Sequence, residues 1–198
     1  MKRRSLLQTA VLGAGIFLLT PARVRALGGI PPEIGIKAPD FDLLGFSSVN
    51  PEQKHWNLAN LQGRWLVVYF YPRDFTSGCT IEAHGFQEAL SAFQKQGAEV
   101  LAISADSVSD HESFCSSEEL KFPLLSDRDG LVSKAYGSWM APYSMRHTFL
   151  IDPQSVLQAV WTGVRPVGHA HEVLNRLKEL QTGESPARVR DGMLTMVR

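Results

Sequence analysis

Cysteine is almost missing from this chain: its 198 residues hold two, Cys79 and Cys115. Two thiols cannot staple a chain of this length, so a disulfide scaffold is excluded, and each is there for reactivity, one shared bridge or packing. No Cys-x-x-Cys occurs, which removes the usual dithiol-exchange motif. Metal ligands are scarce too. His169 and His171 lie near a predicted helix start without the further ligands that zinc requires, so no metal is expected. An excess charge is also lacking, with 20 Lys and Arg against 20 Asp and Glu. That balance is uneven: residues 1–26 hold five of the basic residues (Lys2, Arg3, Arg4, Arg23, Arg25) and none of the acidic ones, leaving 15 minus 20, or −5, for the rest. A body of that sign gives no electrostatic reason to expect nucleic acid or an anionic membrane as partner. At 44% hydrophobic and 20% charged residues, the chain is neither a disordered tail nor a polytopic membrane protein. Residues 27–198 suit one domain that buries roughly 70% of its unfolded surface.

Long hydrophobic runs are scarce as well. Residues 5–22 are uncharged, but Thr9, Gly13, Gly15, Thr20 and Pro21 dilute the run. Lys2-Arg3-Arg4 precedes it, and Arg23-Val24-Arg25-Ala26 follows with the small residues expected before a signal-peptidase cut. The order Arg3-Arg4-Ser5-Leu6-Leu7-Gln8 resembles a twin-arginine signal, which implies export of a folded protein to the periplasm or thylakoid lumen. Cleavage would leave no stable membrane association. An uncleaved anchor is the alternative, because the run approaches the ~20 residues that span a bilayer.

In the remainder, residues 27–39 are a Gly- and Pro-rich lead-in to short apolar pieces at 41–44. Trp65-Leu66-Val67-Val68-Tyr69-Phe70-Tyr71 has no alternation and stands between Gly63 and Pro72, which predicts a strand buried on both faces. Phe86, Leu90 and Phe93 recur at helical spacing up to Gly97, and 99–104 is a second apolar strand. Ser109-Asp110-His111-Glu112 has capping-box spacing and opens a helix that carries Phe114 and Cys115 and ends by Leu120. Segments 146–151 and 155–161 flank Asp152-Pro153-Gln154 as a hairpin, and Val173, Leu174, Leu177 and Leu180 mark a last helix before Gly183. This order predicts an α/β fold, a central mixed β-sheet with helices on both faces. Residues 184–198 lack a period and are expected to be a tail.

Cys79 falls where the first strand has ended and the next helix begins. A thiol in a first helical turn faces unpaired backbone N–H groups and the positive end of the helix dipole, both of which favour a thiolate. Read alone, the position suits a small buried hydrophobe equally well. Its neighbours have plain readings too: Pro72 as a strand stop, Thr76 as an N-cap, Arg146 and Glu82 as a solvated pair.

Together they resemble something specific. Phe70-Tyr71-Pro72-Arg73-Asp74-Phe75-Thr76-Ser77-Gly78-Cys79-Thr80-Ile81-Glu82 is similar to the active-site segment of the peroxiredoxins, in the form closest to the peroxiredoxin Q group, also called bacterioferritin comigratory protein. Leu61-Gln62-Gly63-Arg64-Trp65, Pro123-Leu124-Leu125-Ser126-Asp127 and Arg146-His147-Thr148-Phe149-Leu150-Ile151-Asp152 fall in matching order. The resemblance covers about residues 33–181. It implies a thioredoxin-like fold for residues 27–183, peroxide reduction by a thiol, and no cofactor or metal. By the same resemblance Cys79 is the peroxidatic cysteine, Thr76 hydrogen-bonds thiolate and peroxide, Pro72 shields the pocket, Arg146 supports the reacting atoms and Glu82 holds Arg146.

Many peroxiredoxin Q chains place a resolving thiol five residues after the first. Here that position is His84. Cys115, 36 residues after Cys79, matches another subgroup in which it closes an intramolecular disulfide that a thioredoxin-like donor reduces. A one-cysteine peroxidase with Cys115 as a buried spectator is the alternative. So is an inactive thioredoxin-like binding or structural domain with a stabilising bridge. Peroxides are the expected substrates and a monomer the expected state. His84 is expected to be solvated or packed, and Trp139-Met140-Ala141-Pro142-Tyr143 to be an apolar loop.

Overall fold

The computed structural model describes residues 29–183. The signal sequence expected over 1–26 and the tail expected over 184–198 lie outside the described residues. Among those described, no helix is long and apolar enough to cross a membrane.

A mixed seven-stranded sheet forms the centre. Inside it β3 (Trp65–Phe70) runs parallel to the central strand β4 (Ala98–Ser104) and antiparallel to β8 (His147–Ile151). β4 continues in parallel to β5 (Leu124–Ser126), and the antiparallel pair β1 (Asp42–Phe46) and β2 (His55–Asn57) closes that side. β9 (Leu157–Trp161) closes the other as the hairpin partner of β8. The apolar run of β3 has no alternation because both of its faces are covered. Val67 and Tyr69 enter one apolar cluster, and Leu66, Val68 and Phe70 the other.

Helices lie on both faces, unequally. The first cluster takes residues from α1 (Ser77–Lys95), α2 (Val108–Ser117) and α4 (His169–Thr182). The second is roofed by α3 (Leu131–Ala135), a 3-10 turn at Ala59–Leu61 and the lead-in. α1 buries Phe86, Leu90 and Phe93 at the predicted spacing, and Gly183 caps α4 at φ 71, a left-handed conformation that glycine adopts without strain.

Three local expectations are corrected. The capping box of α2 is Ser107 with Asp110, not Ser109 with Glu112, and the helix stops at Ser117. The segment around Trp139 is a small ribbon, β6 (Trp139–Met140) paired with β7 (Tyr143–Ser144), not a loop. The lead-in is stitched to the hairpin by backbone bonds from Gly35 N to Leu157 O, Ala38 N to Ser155 O and Leu157 N to Ile36 O, all 2.8–2.9 Å. Those bonds run between segments about 120 residues apart, so no local pattern announces them.

Candidate active site

β3 ends at Phe70, Tyr71 N still reaches Ile103 O at 3.1 Å, and Pro72, with no N–H to give, stops the ladder. The chain then turns through Arg73, Asp74 and Phe75. Phe75 has φ 59, a left-handed conformation that a bulky residue rarely adopts, and its side chain is exposed. Thr76 occupies the N-cap position of α1 in extended conformation, but it makes no side-chain cap bond. Its hydroxyl donates to Arg73 O at 3.1 Å. The first helical bond is Thr80 N to Thr76 O, 2.9 Å, so the amides of Ser77, Gly78 and Cys79 lie in the turn whose N–H groups have no helical acceptor.

Cys79 is 2% exposed. Over it lies Arg146, delivered from 67 residues away by the pairing of β8 with β3. That register sets His147 opposite Phe70, and Arg146 O accepts from Val164 N at 2.9 Å. The guanidinium is shared: Nη2 donates to Cys79 Sγ at 3.4 Å, and Nη1 donates to Glu82 Oε2. Glu82, one turn after Cys79, is 1% exposed, so this is no solvated surface pair. Burial raises the Glu82 carboxyl to about 7 against the opposing pull of Arg146. Burial also works against the Arg146 charge, but Glu82 and Cys79 together outweigh it and hold the guanidinium protonated. Gly78 makes the close approach possible, because a Cβ there would sit 3.2 Å from Arg146 Nη2. Sequence reasoning missed that requirement, since a glycine in a first turn reads as ordinary.

Pro72 is half-buried and Thr76 exposed, both on the loop that leads into Cys79. Cys115 comes from α2 and is 1% exposed. Burial, with a smaller contribution from the Asp74 charge, pushes its thiol up to about 12. Both cysteines are free thiols in the same apolar cluster. Sequence reasoning also missed a buried polar group beside them, Tyr71, Asp74 and His111. His84 turns out to bind the end of α2, with Nε2 2.9 Å from Glu118 Oε2.

The model of the AhpC/TSA family matches residues 34–160. The chain belongs to that family. Among its relatives, a putative peroxiredoxin bcp of Coxiella burnetii is 42% identical over 153 residues, which cover 73% of this chain and 98% of that protein. Peroxiredoxin Bcp of Bacillus subtilis is 33% identical over 156 residues, covering 75% and 96%. A mutant of Xylella fastidiosa PrxQ superposes with a TM-score of 0.70 at 34% identity, covering 77% of this chain and 99% of that one. This peroxiredoxin therefore has the thioredoxin fold and is a thiol-dependent peroxidase of the Bcp and peroxiredoxin Q type.

Proposed function

We propose that Cys79 attacks hydrogen peroxide and small organic hydroperoxides, and that Cys115 resolves the product. The observation that carries this reading is the guanidinium of Arg146, shared between buried Glu82 and the sulfur of Cys79. In the first step the Cys79 thiolate attacks the terminal peroxide oxygen. An S–O bond forms, the O–O bond breaks, sulfur is oxidised to sulfenic acid and the departing alkoxide or hydroxide takes a proton. Thiolate supply alone explains little of the rate. Lowering a thiol pKa from about 8.5 to about 6 raises its ionised fraction at pH 7 only about thirtyfold, and each thiolate becomes less nucleophilic. The remainder must come from donors placed where charge develops as the O–O bond breaks. Arg146 and the Cys79 amide are placed for that, and Thr76 joins them when its hydroxyl turns from Arg73 O. Pro72 walls the approach.

Sulfenic acid must be captured before further oxidation makes the damage irreversible. In the proposed capture Cys115 displaces the oxygen: the S–S bond forms, S–O breaks and water leaves. A thioredoxin-like dithiol then reduces the bridge and is itself oxidised to a disulfide. The residues around 1–26 support export, and mass spectrometry of protein recovered from its host tests it, because an intact Met1 end would refute cleavage.

Burial of Cys115 favours a second reading, a one-cysteine peroxidase. Peroxide consumption with a thioredoxin system separates the two. Cys79→Ser abolishes it, Arg146→Ala slows attack about 10²-fold or more, and Cys115→Ser keeps the first turnover but loses recycling. Activity that survives in Cys79→Ser overturns the proposal. Full recycling in Cys115→Ser establishes the second reading instead.

A further inference from the structure

The buried polar group beside the two cysteines has no part in the chemistry above. Asp74 Oδ2 lies 2.8 Å from His111 Nδ1, and Tyr71 OH donates to Asp74 Oδ1 at 2.6 Å and lies 3.4 Å from the same ring nitrogen. The Asp74 amide donates to Asp106 Oδ2 at 3.0 Å, which also accepts from Ser104 Oγ at 2.6 Å. Tyr71 is 2% exposed, Asp74 4% and His111 0%. An ionisable pair in such a place costs desolvation, and apolar residues of equal volume would stabilise the fold as well or better. His111 Nε2 is moreover buried with no hydrogen-bond partner among the described residues. As a device for stability alone the cluster is poor.

Its position points to another use. Asp74 lies five residues before Cys79 on the loop that leads into α1, and His111 lies four residues before Cys115, one turn away on the same face of α2. One bonded pair therefore ties the loop of one thiol to the helix of the other. Phe75 and Phe114 reinforce the seam with rings 5.1 Å apart. α2 itself is a weak helix of ten residues. Ser113, Ser116 and Ser117 turn their hydroxyls onto the carbonyls of Ser109, Glu112 and Phe114 at 3.0, 2.7 and 3.1 Å, contacts that compete with the helical ladder.

We propose that Asp74 and His111, braced by Tyr71, are positioning residues for the resolving step. They latch α2 against the Cys79 loop, and rupture of the latch sets how fast Cys115 reaches the sulfenic acid. The proposal rests on Cys115 as the resolving thiol. A latch that is too firm leaves the sulfenic acid exposed to a second peroxide; one that is too loose unfolds the site before the first arrives.

The test uses two settings of the full chain. In a Cys79→Ser background, the rate at which N-ethylmaleimide labels Cys115 reads the opening of α2 without any redox chemistry. Asp74→Asn is expected to raise that rate about tenfold to hundredfold, the factor that a hydrogen bond to a charged group is worth. Tyr71→Phe, which removes one hydroxyl and spares the fold, is expected to raise it several-fold. With both cysteines present, a single equivalent of peroxide should give disulfide faster by similar factors, while sulfenic acid forms within about twofold of the parent rate. Unchanged labelling in folded variants overturns the latch, and so does sulfenic acid formation that slows in parallel. Faster labelling in the variants, with no Cys79–Cys115 bridge in the parent, overturns the resolving role of Cys115 and leaves the latch on α2 standing.

Discussion

Glu82 is the residue whose charge state reaches furthest. Its carboxyl is buried and raised to about 7, whereas an unfolded glutamate ionises near 4.5. The folded chain therefore binds the extra proton between those values, and by linkage its stability falls as pH rises from about 4.5 to about 7, then levels off. The melting temperature of the parent, compared with that of Glu82→Gln, should fall across that window. The hold on Arg146 runs the other way, since only the carboxylate pairs strongly with the guanidinium. Peroxide attack by the parent should accordingly gain a rise near pH 7 that the Gln variant lacks, and identical profiles would refute the role given to Glu82. Gly78 supplies an independent check at the same scale. Alanine is the better helix former by about 1 kcal/mol, but its Cβ would stand 3.2 Å from Arg146 Nη2 and displace it by a few tenths of an ångström. Gly78→Ala is expected to slow peroxide attack without lowering thermal stability. A variant as fast as the parent would show that the guanidinium has slack.

The elements differ in how openly the chain declares them. β3 and α1 were legible because burial on both faces and a 3.6-residue stripe leave marks within a dozen residues. The Cys79 turn was legible locally only as a strand end followed by a helix start; the parts given to Pro72, Thr76, Glu82 and Arg146 came from the family resemblance of the consecutive residues around it and of the segment that begins at Arg146. α2 was legible only in part. Two overlapping four-residue patterns compete at its start, and the true cap uses Asp110 in place of the usual Glu or Gln. The Tyr71–Asp74–His111 group was illegible, because its members lie up to 40 residues apart and each alone reads as bland. Ser107 accepts from Asp110 N at 3.2 Å, and its own amide donates to Asp110 Oδ2 at 3.1 Å. Ser107→Ala should therefore cost about 1 kcal/mol, with amide exchange accelerated in α2 before any loss in β3 or β4. Uniform acceleration across the molecule would show that α2 does not open by itself.

For the whole molecule the sheet is a partition. The face that carries α1, α2 and α4 holds both cysteines, while the opposite face holds Phe70, Tyr136 and Phe149 in a cluster of tilted and edge-on rings with no part in the chemistry. Phe149 is fully buried there. Phe149→Ala should lower stability by about 3–5 kcal/mol, while protein that remains folded attacks peroxide at the parent rate. A rate that fell in proportion would mean that the partition transmits strain. The positions of Arg146 and Cys79 follow from this layout. Thr148 bonds His169 of α4 at 2.9 Å, on the cysteine face, while His147 bonds Ser138 at 2.9 Å. Arg146, two residues before Thr148, shares its side. In a pleated strand, neighbours point to opposite faces. Slipping β8 by one residue against β3 would leave the backbone able to pair but would carry the guanidinium through the sheet, away from sulfur and carboxylate alike. The peroxidase chemistry thus depends on whether one strand counts odd or even, a property that belongs to no single residue.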